Sequence, residues 1–304
     1  MTKMLLNPEG YIPANDNLLW NQSIYFNLYD PQSKIGCFIR IGILENLKKT
    51  NNWFVFFKDG KPLYARFNLN LPYTPDRMDK GIDVAGIRVK AIEPLKKAHI
   101  EFSEAEFSVD LIWEALHPMV DCIALTHAGH SDPGEIGHLH MEGPCRVSGA
   151  ITVRGGKRIV IDGTGFRDIG VGERNMDLMR HVRLAWPIFS NGLTCAVAHL
   201  ISTSGQDHYL RMLHDGTEWL VVTKVEDRNE YEDDEMTLRS MHWKLWDARN
   251  RMWEFTAKPI FRWFFPFDIA ILAEHMMEYR LSDGTVGYGL GECAFRLPWE
   301  GNGN

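Results

Sequence analysis

The sequence lacks an excess of basic residues. Its 33 lysines and arginines are outnumbered by 40 aspartates and glutamates, which gives a formal net charge of -7. A protein that binds nucleic acid or an anionic membrane surface generally needs a positively charged face. We therefore expect no nucleic-acid partner and no attachment to acidic lipid.

Paired cysteines and long apolar runs are missing as well. The five cysteines are odd in number and contain no Cys-x-x-Cys pair, which is typical of reduced core residues in an intracellular protein. The apolar run at the N-terminus is too short for a signal peptide. The most apolar stretch, Phe261–Phe267, contains an arginine and a proline and is far below membrane-spanning length. The composition predicts a soluble, cytoplasmic protein without a transmembrane segment.

Several signatures of catalysis or cofactor binding are also absent. There is no Gly-x-Ser-x-Gly nucleophile elbow. The Gly163-x-Gly165 pair ends a strand turn and is not followed by a helical pattern, as a dinucleotide site would require. A group of histidines could suggest a metal, but its His-x-His spacing lacks the later ligand strand of a cupin-type set. We expect no cofactor and no bound metal, although the group contains His127, His130, His138 and His140.

What the sequence does contain is a central β-hairpin with polar ends. Apolar and polar residues alternate over Val147–Val153, Gly155-Gly156 supplies a tight reversal, and Ile159–Ile161 returns. Ionisable side chains at strand ends, with glycine nearby, are how a β-scaffold usually displays a site. The upstream end carries His138, His140 and Glu142, and the downstream end carries Arg167, Asp168, Glu173 and Arg174.

The rest of the chain repeats the strand pattern. Asp59-Gly60 joins two alternating runs in a hairpin, and residues 99–116 form another long alternation. Helical composition is confined to Asp268–Tyr279, where we expect a short helix. The acidic run Glu226–Glu235 is interpreted as a solvated connection. The two halves match loosely, so we predict an all-β protein with two barrel-like or sandwich-like units, residues 1–150 and 151–304.

The central motif carries a family resemblance. Glu142-x-x-x-Arg146-Val-Ser-Gly149, followed by Asp162-Gly-x-Gly165-x-Arg167-Asp168, resembles the double lipocalin-like superfamily of AttH-type proteins and carotenoid hydratases (hydroxyneurosporene synthases). Trp20–Phe26 and Gly287–Glu292 look like its flanking motifs. The resemblance implies two lipocalin-like domains with an apolar ligand site. It also implies hydration, isomerisation or cyclisation of terpenoid, polyketide or similar substrates without a cofactor.

The sequence departs from that family directly after the Arg-Asp pair. The family continues with His-Ser-Trp-Gly, whose His and Trp are proposed to serve the chemistry of carotenoid hydratases. Here these positions are Ile169, Gly170, Val171 and Gly172. Carotenoid hydration by the family mechanism therefore does not carry over. Arg167 and Asp168 carry over as part of the framework.

Asp168, Glu142 and His140 are the candidate catalytic residues. Burial among aromatic side chains would raise the pKa of Asp168 towards neutrality, as an acid or base requires. The alternative is that Asp168 pairs with Arg167 or Arg174 and holds a strand end, which would lower its pKa. His140 and Glu142 are two residues apart, on one face of a strand, and form a standard acid–base combination. Their alternative is a surface hydrogen-bonded pair.

The predicted substrate contacts come from aromatic and polar residues distributed along the chain. Ten tryptophans and sixteen phenylalanines are enough to line an apolar pocket as well as fill a core. We predict a hydratase, isomerase or cyclase (a lyase or isomerase) acting on a hydrophobic terpenoid, steroid or polyketide-like molecule. The alternative is a lipocalin-like protein that binds such a molecule without chemistry. The oligomeric state is left open, and the predicted contacts are Trp20, Tyr25, Trp113, Arg167, Trp186, His199, Tyr288 and Glu292.

Overall fold

The computed structural model describes residues 7–126, 138–173, 176–267 and 269–298. Strands take up 69% of these residues, so the predicted all-β class is confirmed. The chain divides into two compact units. Of the described residues, 7–121 and 138–173 form unit 1, and 122–126 and 176–298 form unit 2.

Unit 1 is an antiparallel sheet of eleven strands. The strands are β1 (Trp20–Asp30), β2 (Ile35–Leu44), β3 (Lys49–Lys58), β4 (Lys61–Pro72), β5 (Ile82–Val84), β6 (Ile87–Glu93), β7 (Lys97–Ser103), β8 (Phe107–Ala115), β9 (Val120–Asp121), β10 (Leu139–Val153) and β11 (Lys157–Glu173). Their order is β4-β3-β2-β1-β11-β10-β8-β7-β6-β5, and β9 pairs with β10. The central strands β1, β11 and β10 are those singled out by the sequence motif.

One face of this sheet wraps around an apolar core. Alternate residues of β1, β2, β10 and β11, such as Ile24, Ile39 and Ile169, belong to one buried cluster. Side chains also link the two ends of the sheet. The ring of Tyr64 on β4 stacks on Phe107 of β8 at 4.5 Å, and Arg66 Nη1 donates to the backbone oxygen of Ala85 at 3.0 Å. The sheet thus curls into a nearly closed barrel.

The expected boundary at residues 150/151 is displaced. It falls inside β10, and β10 pairs with β11 without interruption from Leu139↔Val171 to Val153↔Lys157. A boundary there would separate the two strands of one hairpin. Both strands lie in unit 1, which extends to the end of β11.

Unit 2 is a closed eight-stranded barrel accompanied by helix α1 (Cys122–Thr126) and by a single 3-10 turn at Met176–Leu178. Its strands are β12 (Met179–Phe189), β13 (Thr194–Ser202), β14 (Asp207–His214), β15 (Trp219–Tyr231), β16 (Leu238–Asp247), β17 (Met252–Phe267), β18 (Ala270–Leu281) and β19 (Val286–Arg296). Closure comes from pairing of β12 with β19. Strands β14 and β15 pair only over three residues each. Helix α1 packs against β14, where Arg211 N donates to Thr126 Oγ1 at 2.9 Å.

Two local predictions for unit 2 are wrong. The segment expected to be a helix near the C-terminus is strand β18, because it pairs along both edges, with β17 and β19, and this pairing overrides its helix propensity. The prediction that the acidic run is a solvated connection is wrong for residues 226–231, which belong to β15, whereas residues 232–235 do lie in the connection between β15 and β16. Among the described residues, no helix is long and apolar enough to cross a membrane.

Candidate functional site in unit 1

The register of the central strands gathers polar residues in one row. Glu142 on β10 lies opposite Asp168 on β11. Asp168 in turn lies opposite Tyr25 on β1, and Tyr25 lies opposite Arg40 on β2. Directly paired residues project from the same face of a sheet, so this row occupies the face opposite the apolar core. His140 shares that face because it is two residues from Glu142.

The three candidate catalytic side chains are in contact. His140 Nε2 lies 2.7 Å from Asp168 Oδ2 and 3.5 Å from Glu142 Oε1. His140 is 8% exposed and Glu142 is 2% exposed. A surface hydrogen-bonded pair, the alternative for His140 and Glu142, is therefore wrong. The geometry instead places one imidazole nitrogen between two carboxyl groups in a buried setting.

This arrangement can hold and move a proton. An ionised carboxylate only accepts hydrogen bonds, so at 2.7 Å the Nε2–H of His140 donates to Asp168. Imidazole paired with a carboxylate is a common general acid–base unit. Glu142, within reach of the same nitrogen, provides a second position for the proton. The backbone nitrogen of His140 is also near Asp121 Oδ1, at 3.4 Å.

Asp168 does not pair with Arg167, which the sequence allowed. The two residues are consecutive on β11, so their side chains leave opposite faces of the sheet. Arg167 is 1% exposed and forms an ion pair with Glu9, 158 residues earlier. Its guanidinium lies 5.9 Å from the ring of Phe26. The other proposed partner of Asp168, Arg174, lies outside the described residues.

Of the other histidines in the predicted metal group, only His138 lies among the described residues, and its ring contacts Trp20. His138 is exposed and its ring lies 5.3 Å from the ring of Trp20. Trp20 packs with Ile12 and Val171 in a small cluster. His127 and His130 lie outside the described residues, and the expectation of no metal stays a prediction.

Trp113, a predicted substrate contact, is fully buried in unit 1. Its Nε1 donates to the backbone oxygen of Asn27 at 2.9 Å, and its ring meets Phe26 edge-on at 5.3 Å. The side chain of Asn27 also accepts from Phe166 N at 2.9 Å. Trp113 thus links β8 to β1, and Asn27 links β1 to β11, so the contacts of Trp113 stabilise the sheet.

The predicted contacts in unit 2 lie on different faces of its barrel. Tyr288 and Glu292 share one face of β19, while Cys293 on the other face belongs to the barrel core. Glu292 is opposite Glu274 of β18, and buried Trp186 of β12 is opposite Leu290. The structure therefore does not bring these residues to His199, which lies on the inner face of β13.

His199 is held in a cluster of charges that the sequence did not reveal. Its Nε2 lies 2.9 Å from Asp207 Oδ1, and its Nδ1 lies 3.2 Å from both carboxyl oxygens of Asp227. Arg183 Nη1 donates to Asp227 at 2.9 Å. Burial opposes the charge of His199, but the two aspartates outweigh it and raise its pKa. Both ring nitrogens face carboxylates, so the ring is an imidazolium.

A neutral pair lies beyond this cluster. His181 Nδ1 donates to the backbone oxygen of Ala294 at 2.9 Å, which leaves Nε2 to accept from the hydroxyl of Tyr231 at 3.3 Å. Burial, reinforced by the nearby charge of Arg183, lowers the pKa of His181 to about 3. Neither residue stood out in the sequence, because their contacts depend on strands that are distant along the chain.

Comparison with known proteins shows the family and the fold. The sequence matches the family described as a domain of unknown function (DUF7064) over residues 12–296, and the chain belongs to that family. No curated protein matches the sequence.

Solved structures with the same fold are distant in sequence. A putative AttH from Nitrosomonas europaea is 12% identical, with a TM-score of 0.63 and 96% of each chain covered. CghA, crystallised with Sch210972, is 11% identical, with a TM-score of 0.65, covering 95% of this chain and 94% of its own. Kievitone hydratase from Nectria haematococca is 13% identical, with a TM-score of 0.62, covering 90% and 88%. The predicted double lipocalin-like, AttH-type fold is confirmed.

Proposed function

We propose that this DUF7064-family protein is a cofactor-free enzyme of the hydratase, isomerase or cyclase type, with His140, Asp168 and Glu142 as its acid–base residues. The observation that carries the proposal is the buried contact of one imidazole nitrogen with two carboxyl groups. Its substrate would be a hydrophobic terpenoid, steroid or polyketide-like molecule. Support of a weaker kind comes from the fold, since one distant structural relative is named a hydratase.

The proposed chemistry begins with a proton on His140 and uses Asp168 as the counter-charge of the ring. Protonated His140 gives its Nε2 proton to an alkene carbon or a carbonyl oxygen of the substrate. The resulting cation is then attacked by water, which loses a proton to Glu142, or it loses a neighbouring proton to Glu142 directly. The first outcome is hydration and the second is isomerisation. Transfer from Glu142 to His140 then restores the site.

The departure from the carotenoid-hydratase motif concerns the other face of the sheet. The family histidine position is Ile169, which is fully buried in the apolar core and so projects from the face opposite Asp168. The imidazole beside Asp168 is that of His140, on the paired strand. The same loss of the family His and Trp favours the second candidate, a binding protein for the same class of molecule, so the experiment must separate chemistry from binding.

The test is turnover of a panel of alkene- and enone-containing terpenoids, steroids and polyketides, with products identified by mass spectrometry. Hydration adds the mass of one water, whereas isomerisation or cyclisation changes retention without a change in mass. His140→Gln should lower the rate by about two to four orders of magnitude. A protein that binds members of the panel, releases all of them unchanged and behaves identically with and without His140→Gln would be a carrier.

Unit 1 offers a matched control. His99 Nε2 lies 2.7 Å from Asp110 Oδ1, the same separation as in the buried pair, but Asp110 is 77% exposed. His99→Gln removes the same chemical groups at a solvated position of the same sheet. We expect His99→Gln to retain the rate of the unaltered protein, and an equal loss in both variants would point to a general effect on folding.

A further inference from the structure

One strand junction in the barrel of unit 2 is paired over only part of its length. β14 pairs with β13 as far as Asp207, its first residue. With β15 it pairs only over residues 212–214. We call the remainder of this junction, residues 207–211 of β14 and residues 222–231 of β15, the seam. The links described below cross the seam through side chains, in place of a backbone ladder.

A histidine ring lies between a carboxylate on each side of the seam. His199 Nε2 is 2.9 Å from Asp207 Oδ1 on β14, and His199 Nδ1 is 3.2 Å from both carboxyl oxygens of Asp227 on β15. The ring also stacks on Tyr209 of β14 at 4.4 Å. A protonated ring donates from both nitrogens and so binds both strands at once. A neutral ring has a single N–H and can donate to only one of the two aspartates.

Two further side-chain links to the seam portion of β15 come from arginines. Arg183 Nη1 on β12 donates to Asp227 at 2.9 Å, and Arg211 Nη1 on β14 donates to the backbone oxygen of Thr223 at 3.3 Å. Arginine keeps its charge up to about pH 12. Among these three links, His199 is therefore the group whose charge changes between about pH 6 and pH 9.

Three titratable groups near His199 do not change charge over this range. Tyr209 stays neutral, because burial and the charges of Asp227 and Asp207 raise its pKa. Asp227 stays ionised, because the hydrogen bonds that it accepts outweigh burial and lower its pKa. His181 stays neutral, because burial lowers its pKa to about 3. For His199 itself, burial favours the neutral ring, but the two aspartates outweigh it and raise the pKa above the ordinary value of about 6.5.

We propose that the seam of unit 2 is a pH-sensitive opening in the barrel wall, closed when protonated His199 binds both Asp207 and Asp227 and released when His199 loses its proton. In the neutral state one aspartate faces a lone pair of the ring, and the two carboxylates repel each other across the seam. β14 keeps its ladder with β13, and β15 keeps its ladder with β16, so the seam opens without breaking either ladder. The opening lies in unit 2 and does not depend on the proposed acid–base function of unit 1.

Two buried cysteines distinguish opening of the seam from unfolding of the barrel. Cys293 is fully buried, and its Sγ lies 3.6 Å from the hydroxyl of Tyr231 and 3.7 Å from Asn229 Nδ2, both on the seam portion of β15. Cys195 is equally well buried but pairs with Leu213, where β14 and β15 do form a ladder. Opening of the seam should therefore expose Cys293 and leave Cys195 covered.

The test is labelling of the full-length protein with N-ethylmaleimide at pH 6 and pH 9, with the labelled fraction of each cysteine measured by peptide mass spectrometry. The ratio of Cys293 to Cys195 labelling removes the general effect of pH, because the thiolate is the reactive form of both. We expect this ratio to rise about tenfold from pH 6 to pH 9, as the loss of one charge-assisted hydrogen bond implies. His199→Gln should show the high ratio at both pH values, because its amide carries no positive charge.

Two further variants complete the test. In Asp207→Asn the amide donates to the lone pair of the neutral ring, so the ratio should stay low at pH 9. Asp207 is 57% exposed, so this variant keeps the test available if His199→Gln does not fold. His242→Gln is the matched control, because His242 pairs with Glu254 at an exposed position of the same barrel. It should show the same rise in the ratio as the unaltered protein.

Four results would overturn the proposal. The first is a ratio in the unaltered protein that does not rise between pH 6 and pH 9. The second is an undiminished rise in His199→Gln, which would assign the titration to another group. The third is an undiminished rise in Asp207→Asn. The fourth is equal labelling of both cysteines at pH 9, which would mean that the whole barrel unfolds.

Discussion

The charge cluster around His199 gives a prediction whose sign and size can be worked out. The ring of His199 faces Asp227 from β15, Asp207 and Tyr209 from β14, and the more distant Arg183 from β12. Its raised pKa means that the imidazolium stabilises the folded state at pH values below its unfolded pKa of about 6.5, and that this contribution is lost as the pH rises through the folded pKa.

Asp227 sets the lower limit of the pH range in which the cluster stabilises the folded state. Burial opposes ionisation of Asp227, but the hydrogen bonds and charges of His199 and Arg183 outweigh it and lower its pKa. Its contribution is present above an unfolded pKa of about 3.9 and is lost as the pH falls through the lower folded value. The cluster is therefore most stabilising between about pH 4 and pH 6.5.

The perturbation is His199→Gln, which keeps one donor and removes the charge. The hydrogen bond to buried Asp227 contributes about 1.5 kcal/mol, at the low end for a charged partner because Arg183 remains. Asp207 is 57% exposed, so its contact adds only about 0.5 kcal/mol after solvent screening. We expect a loss of about 2 kcal/mol near pH 5.5. Near pH 9 the loss should be about 0.5 kcal/mol, since the ring of the parent protein is then neutral.

The assay is urea unfolding at both pH values, with tryptophan fluorescence as the readout. Hydrogen exchange of unit 2 is measured as well, because the two units need not unfold together. His242→Gln is the control, since His242 makes a 2.6 Å contact with Glu254 at an exposed position of the same barrel. It should change stability by less than about 0.5 kcal/mol at either pH. A loss in His199→Gln of the same size at both pH values would refute the imidazolium assignment.

Three further predictions concern packing and cofactors. Trp113→Phe should lower the free energy of unfolding by about 2–3 kcal/mol, because the hydrogen bond to Asn27 is lost and the ring is smaller. The rate per folded molecule should be unchanged. A loss of rate without a loss of stability would support Trp113 as a substrate contact. Gly165→Ala should cost about 3 kcal/mol or more in urea unfolding, because the added carbon would lie 1.8 Å from the Asn27 oxygen, and a neutral result would contradict the described approach of β1 and β11. Dialysis against a chelator should leave turnover unchanged and elemental analysis should find no stoichiometric metal; one metal per chain that is lost in a His140 variant would reverse this expectation.

The sequence was a good guide to the fold wherever the strand pattern was local. The alternation over Val147–Val153 and the Gly155-Gly156 turn predict the β10–β11 hairpin, and the structure confirms it. Strand β18 was mistaken for a helix because it is buried on both faces, so that its apolar residues do not alternate. The limit of unit 1 at the end of β11 depends on pairing of β1 with β11, which no local pattern encodes.

The candidate site was predictable in part because the hairpin that carries it is local in the sequence. Spacing along β10 placed His140 and Glu142 on one face, and the hairpin register determined which residue of β11 would meet them. Glu9 could not be recognised as the partner of Arg167, because the lead-in segment has no periodic pattern and the contact spans 158 residues. Asp227 was hidden in an acidic run whose composition is typical of a solvated surface, although alternate residues of β15 face the barrel interior.

The measurement that most directly tests the proposed acid–base site is kcat/KM for Asp168→Asn and Glu142→Gln on a substrate turned over by the parent protein, together with the affinity of an unreactive analogue. Glu142→Gln removes the group that accepts the proton, Asp168→Asn removes the negative charge beside His140, and both carboxamides keep the shape of the side chain. We predict that kcat/KM falls by about two to four orders of magnitude, while analogue affinity stays within about threefold, a free-energy change well below 1.4 kcal/mol. If both variants fold, bind the analogue and turn over the substrate at the parent rate, the His140–Asp168–Glu142 site is not the catalytic centre.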